Sequence, residues 1–387
     1  MLDDLIERAL DEDEPFAARA ATRALFNIVI EPLGDLFEPA LCEVYARLFS
    51  HVITRTLPEY DAGELLLRHR RVRQVRRFQG GEVRRVFVLS RVTLGADVAV
   101  TSVALAAAKQ RFPDAEICFV GPEKNAALFA ADSRIVPIAV TYGRSSLLRE
   151  RLLAAAELHV AVDELSSIVI DPDSRLTQLG LIPICDDARY FFFESRAFGG
   201  TLNSALPVLI TEWLSEVFQI EPVRPYVAPV KQERLADVAV SWGVGENASK
   251  RIDDDFEIAV MKKLLALGRP LILDRGAGGE EAERADALMK MFAVTGLLHL
   301  HDGSYASFAS HILQSNLYVG YDSAGQHVAA AGGVPLVSVF SGHCCDRMLS
   351  RWRPDSPTAR VVAVDEESRA SALARTLRAI EEAVAEP

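Results

Sequence analysis

Residues Leu317 to Phe340, LYVGYDSAGQHVAAAGGVPLVSVF, read as strand, loop, helix, glycine stop and strand. Leu317, Val319 and Tyr321 bring β-branched and aromatic character, and Asp322 with Ser323 stands where a helix cap is wanted. The first helical turn is then Ala324, Gly325, Gln326 and His327. Small residues there leave backbone N–H groups open to a ligand, and the helix dipole adds partial positive charge, so the segment has the outline of an anion-binding turn. His327 supplies one more donor for the same oxygens. A plain capped helix followed by a turn at Gly332-Gly333-Val334-Pro335 explains the same letters, so the rest of the chain has to decide.

The run DSAGQHVAAAGGVPLVSVF, followed by Asp346-Arg347 and by Arg351-Trp352-Arg353-Pro354, resembles the C-terminal signature of glycosyltransferase family 9, the ADP-heptose:lipopolysaccharide heptosyltransferases. Asp322, His327, Ala329, Ala330, Gly333, Pro335 and Phe340 fit, with Ser323 in place of threonine and Ala324 in place of glycine. The resemblance implies a GT-B architecture of two facing Rossmann-like domains with parallel sheets. It also implies inverting, metal-independent transfer of a sugar, heptose from ADP-heptose in the family, to a hydroxyl of a lipopolysaccharide-type or other glycan.

A length of 387 residues suits two domains, and a net charge of −12 argues against bulk nucleic-acid binding as the main activity. Cys42, Cys118, Cys185, Cys344 and Cys345 are odd in number and irregularly spaced, the pattern of a reduced cytosolic chain. His343-Cys344-Cys345 has no second ligand pair at zinc-like spacing, so no metal is expected there. The start, MLDDLIERALDEDE, lacks the basic and apolar regions of a signal peptide, and no apolar run approaches the roughly 20 residues of a membrane span. The expected location is the cytoplasm, at most the inner face of its membrane. Arg68, Arg70, Arg71, Arg73, Arg76, Arg77, Arg84 and Arg85 form a basic belt. It reads either as ion-pair partner of the acidic N-terminus or solvated helix face, or as a patch for anionic lipid.

Residues 1–82 read as helices only, a proline-punctuated extension outside the family core and suited to packing or oligomer contacts. Alternating strands and helices begin at Val83 and imply a first parallel-sheet domain over 83–220, with strands at 84–90, 117–120, 135–140, 158–162 and 168–170 and a closing helix over 203–218. A proline-rich linker over 221–235 precedes a second series over 236–387: strand 238–242, helix 256–267, strand 270–273, helix 280–292 and the opening motif. In the GT-B class a last helix, here about 368–385, crosses back to the first domain.

Asp97 follows the first strand, in Thr93-Leu94-Gly95-Ala96-Asp97-Val98. It is either the helix N-cap or, as the resemblance implies, the catalytic base, with Ala96 one residue extra against the family loop. Lys250 ends the glycine-bearing loop Gly243-Val244-Gly245-Glu246-Asn247-Ala248-Ser249-Lys250 after the first strand of the second half. A lysine beside glycines suits a phosphate, and the resemblance gives it that role with Gly243, Gly245 and residues Asp322 to His327 as the donor site. Asp253-Asp254-Asp255 reads as dipole compensation at a helix start. Arg91, Arg175, Glu194 and Arg196 are the acceptor-side candidates, equally readable as loop ion pairs. The implied partners are a nucleotide-sugar donor and a glycan or glycolipid acceptor, with no metal cofactor. The open alternatives are a different sugar-nucleotide donor or a non-catalytic sugar-nucleotide-binding relative.

Overall fold

The computed structural model describes residues 2–143, 146–245, 247–366 and 368–385. The chain divides into two compact units, one of residues 1–126 with 133–224 and one of residues 127–132 with 225–387. Each carries one parallel sheet. The first contains β1 (Arg85–Leu89), β2 (Glu116–Gly121), β3 (Ile135–Ala139), β4 (Ser167–Asp171) and β5 (Tyr190–Phe192), in the order β3-β2-β1-β4-β5. The second contains β6 (Val238–Ser241), β7 (Leu271–Asp274), β8 (Leu298–His301), β9 (Leu317–Tyr321), β10 (Leu336–Ser341) and β11 (Ala359–Val364), in the order β11-β10-β9-β6-β7-β8.

Val86 to Leu89 and Val238 to Val240 are buried without alternation, as strands covered on both faces require. In both sheets the strand order reverses beside the first strand, between β1 and β4 and between β6 and β9. Loops diverge there at the carboxyl ends and leave room for a ligand. The register Val240↔Val319 and Ser241↔Gly320 brings the loops after β6 and β9 side by side.

Several expectations are corrected. Residues 158–162 are not a strand but the end of the helix Leu148–Val162. Leu148, Leu152, Ala155, Leu158 and Val162 are all buried at helical spacing, and the apparent alternation of Leu-His-Val-Ala-Val is incidental. β5, which overlaps the Phe191–Phe193 run, pairs with β4 through Val169↔Tyr190 and Ile170↔Phe191. The last helix, Ala372–Ala385, packs on the second unit's own sheet and helices. Ala372, Ala379, Ile380 and Ala383 join the second unit's core, and Glu381 pairs with Lys263 of the helix Asp254–Leu265.

Helices Leu2–Ala9, Pro15–Ala24, Glu31–Asp35, Pro39–Thr56 and Ala62–Val72 do not form a separate body. Phe26, Phe49, Ile53 and Leu65 share one core with Leu152, Leu158, Tyr190 and Phe192. The arginine belt pairs mostly within the first unit rather than with the acidic N-terminus. Arg68 and Arg71 meet Asp187, Arg73 meets Glu43 and Glu194, and Arg76 donates to the Tyr190 carbonyl at 2.8 Å. The acidic start pairs with His51, Arg55 and Arg149. No helix among the described residues is long and apolar enough to cross a membrane.

Candidate functional site

In the second unit the site starts from the loops after β6 and β9. Lys250 ends the short 3-10 turn Ala248–Lys250, whose Asn247 side chain accepts from Ser249 N. Its ammonium donates to Asp322 Oδ2 at 2.6 Å and to the Asp322 carbonyl at 3.2 Å. Asp322 is 4 % exposed, and its other oxygen accepts from Gln326. Gln326 in turn accepts from Ser338 Oγ at 2.6 Å and donates to the Trp352 carbonyl at 3.3 Å. The sequence motif and the later Arg-Trp-Arg-Pro segment therefore close on one point.

Ser323 occupies the N-cap position of the helix Ala324–Ala331 but makes no side-chain cap, contrary to its reading as a capping residue. Asp322 is likewise turned to Lys250 and Gln326 rather than to the helix start. A helix start without a side-chain acceptor keeps its N–H groups for a ligand or water. Gly325 is required by packing: a Cβ there would meet the buried Tyr318 hydroxyl at 2.1 Å. His327 is buried beside the Trp352 ring, and burial pulls its pKa down to about 4. It is thus neutral at pH 7, a hydrogen-bond partner rather than a cation.

Two residues that sequence reasoning did not single out, Glu281 and Glu257, hold this site. Glu281, in the first turn of the helix Gly279–Phe292, accepts from Val244 N at 2.9 Å and Gly245 N at 3.1 Å and fixes the glycine loop from Gly243. Glu257 is buried and accepts from Arg251 Nε at 2.7 Å and from the Tyr321 hydroxyl at 3.2 Å. It ties the residue after Lys250 to the residue before Asp322. Glu281 follows a glycine cluster and is legible by that token, whereas nothing local marks Glu257. Asp253 caps the helix Asp254–Leu265 by accepting from Phe256 N at 2.8 Å. Glu246 of the loop lies outside the described residues.

In the first unit the helix after β1 opens at Leu94–Ala96, widens into a π turn over Asp97–Thr101 and continues as Ser102–Arg111. A π turn takes up one residue more than an α turn. Asp97 is 0 % exposed. It accepts from Ser90 Oγ at 2.6 Å, Arg91 N at 2.7 Å, Thr101 Oγ1 at 2.6 Å and Asn125 Nδ2. Burial raises its pKa, and these bonds act against that. Asp97 is therefore neither a helix N-cap nor open to an incoming hydroxyl in this conformation. It locks the loop, including Val92, a β-branched residue held at φ 70°.

Arg91, Glu194 and Arg196 gather at the ends of β1, β4 and β5 around Asp173, a further residue that sequence reasoning left out of the candidates. Arg91 Nη1 donates to Ser195 Oγ at 2.6 Å, and both Ser195 Oγ and Arg196 Nη1 donate to Asp173 Oδ2, at 2.6 and 2.7 Å. Burial lowers the Arg91 guanidinium to about 10. Arg73 grips Glu194 Oε2 through Nε at 2.8 Å and Nη2 at 2.6 Å, and among the described residues Oε1 accepts no hydrogen bond. Burial pushes the Glu194 pKa up to about 7. Arg175 pairs with Glu31 at 3.1 Å, and Gly34 lies so close to Arg196 that a Cβ would sit 2.5 Å from its Nε. The N-terminal helices thus supply one wall of this cluster. No group of three His, Cys, Asp or Glu among the described residues is placed to hold a metal ion.

No protein family model and no curated protein matches the chain. Solved structures do. A glycosyltransferase family 9 protein from Veillonella parvula DSM 2008 superposes with a TM-score of 0.59 at 15% identity, over 79% of this chain and 98% of that one. The E. coli heptosyltransferase WaaC with ADP gives 0.58 at 15%, over 78% and 99%. The E. coli ADP-heptose lps heptosyltransferase II gives 0.55 at 15%, over 78% and 98%. The fold is that of the GT-B glycosyltransferases, two parallel-sheet units in succession.

Proposed function

We propose that this chain is a glycosyltransferase that moves a sugar from a nucleoside diphosphate to a hydroxyl of a glycan or glycolipid, with inversion and without a metal. The observation that carries the proposal is the Lys250–Asp322 pair at the uncapped helix start, at the strand-order reversal of the second sheet. A cation held in place by the Asp322 carboxylate meets a helix start with no side-chain cap there. That combination suits a diphosphate leaving group, whose charge grows as the sugar departs. The likeness to structures of sugar-nucleotide enzymes supports the same reading, and ADP-heptose is the first donor to try. A thermal-shift panel of ADP-, UDP- and GDP-sugars, followed by a transfer assay on each hit, tests it. A flat panel would remove the donor site from the second unit.

Metal independence rests on the presence of Lys250 for the work a divalent ion otherwise does. Transfer is expected to persist in EDTA. Loss on chelation, restored by magnesium or manganese, would overturn this assignment of the leaving-group site.

For the base the resemblance offers Asp97, whereas the geometry favours Glu194. Asp97 has four donors on its two oxygens, whereas Glu194 keeps Oε1 open and titrates near neutrality. If Glu194 takes the acceptor proton, the ionised form is the active one. Turnover should then fall about tenfold per pH unit below the Glu194 pKa of about 7. Glu194→Gln should remove that limb along with most of the rate. A Glu194→Gln enzyme that keeps both rate and profile returns the role to Asp97.

A further inference from the structure

The loop after β10 carries a cluster that the donor site does not use. Cys344 is exposed, Cys345 is half-buried at the N-cap position of the helix Asp346–Trp352, and Met348 lies in that helix's first turn. Cys344 Sγ is 3.9 Å from Cys345 Sγ and 3.6 Å from Met348 Sδ. Metal–sulfur bonds of about 2.3 Å set the three sulfurs of a trigonal site about 4 Å apart, so both observed spacings lie close to that of a ligating set.

We propose that Cys344, Cys345 and Met348 form a site for one soft monovalent metal ion, copper(I) or its analogue silver(I). The thioether decides the class of metal. Zinc draws on thiolate, imidazole and carboxylate in fours, whereas soft d10 monovalent ions accept thioether sulfur and stop at two or three ligands. Binding releases the two thiol protons, and two thiolates around one monovalent cation leave the site with a single negative charge. No oxidant takes part. Met348 follows Cys344 by four residues, and its sulfur is the nearer of the two to Cys344 Sγ. The loop also rests on the turn that carries Lys250: a Cβ on Gly342 would lie 2.5 Å from Ser249 Oγ.

The test is anaerobic titration of the full reduced chain with copper(I) against a chromophoric chelator, repeated with silver(I) and zinc(II), with X-ray absorption to count sulfur ligands. One equivalent bound through three sulfurs, with zinc(II) weaker by at least about 100-fold, is expected. Met348→Leu, which keeps the volume, should weaken copper(I) by roughly tenfold, and Cys344→Ser or Cys345→Ser by about 100-fold or more. Unchanged affinity in Met348→Leu, two sulfur ligands only, zinc(II) bound as tightly as copper(I), or a Cys344→Ser/Cys345→Ser chain that still binds would each overturn the site. All four variants are at exposed or half-buried positions, and melting curves will separate misfolding from lost ligation.

Discussion

Asp97→Asn is expected to cost the first unit about 2 to 5 kcal/mol of stability, because two of its four buried donors would then face an amide N–H₂ instead of an oxygen. Asparagine would be nearly neutral at an ordinary N-cap. The loss arises because Ser90, Arg91, Thr101 and Asn125 all donate to this carboxylate as the network is arranged, and the hydroxyls and the Asn125 amide would have to turn to accept from an amide N–H₂. Activity is expected to fall with it, so the informative quantity is turnover per folded molecule, measured at a temperature where circular dichroism shows the variant native. Full turnover there would make Asp97 a positioning residue for Arg91 and Val92. A residual drop of about 10² or more in folded enzyme, with donor affinity intact, would instead support a direct role in proton transfer. A melting temperature equal to that of the unsubstituted chain would show that the four hydrogen bonds do not form in solution.

Lys250→Ala carries the second large effect. Loss of a charged hydrogen bond to a diphosphate should weaken ADP binding by about 1 to 3 kcal/mol, and turnover should drop by about 10² to 10³ if the lysine acts mainly on the developing charge. Lys250 also neutralises Asp322, which is almost wholly buried. The double variant Lys250→Ala/Asp322→Asn separates the two duties. It should regain stability but not ADP affinity in calorimetry. Restored affinity in the double variant would mean that Lys250 serves Asp322 alone. His327→Ala, which removes a neutral donor, should weaken ADP by no more than about 1 kcal/mol.

The donor half of this protein is largely local, and for that reason it can be read from the letters. Lys250 and Asp322 each lie one short loop beyond a strand whose β-branched and aromatic residues announce it, and parallel β6–β9 pairing delivers them to the same point. The first unit resists such reading because its decisive contacts span the chain. Arg68 and Arg73 look like a surface charge run until Asp187 and Glu194, more than a hundred residues later, are folded against them. The helix Leu148–Val162 was obscured by an alternating tail, and β5 by a phenylalanine run whose strand character depends on β4 beside it. Asp97 was found, but its surroundings were not, since Asn125 lies in the next βα connection with nothing to mark it.

The same long-range pairing sets an order of events during synthesis. The helix Ala62–Val72 is fastened by residues 119 and 121 positions downstream of its Arg68 and of Arg73 at its C-cap. At ribosomal speeds of about 5 to 20 residues per second, its partners arrive roughly 6 to 24 seconds after it has been made. For that interval Phe26, Phe49, Ile53 and Leu65 lack Tyr190 and Phe192 from their shared core, and the nascent chain presents an adhesive apolar surface of the kind chaperones bind. Ribosome-bound chains halted before residue 187 are expected to be cut by protease within the first 82 residues, and chains halted well past residue 224 to resist. Equal resistance at both lengths would mean that the helices settle among themselves first and accept the sheet afterwards.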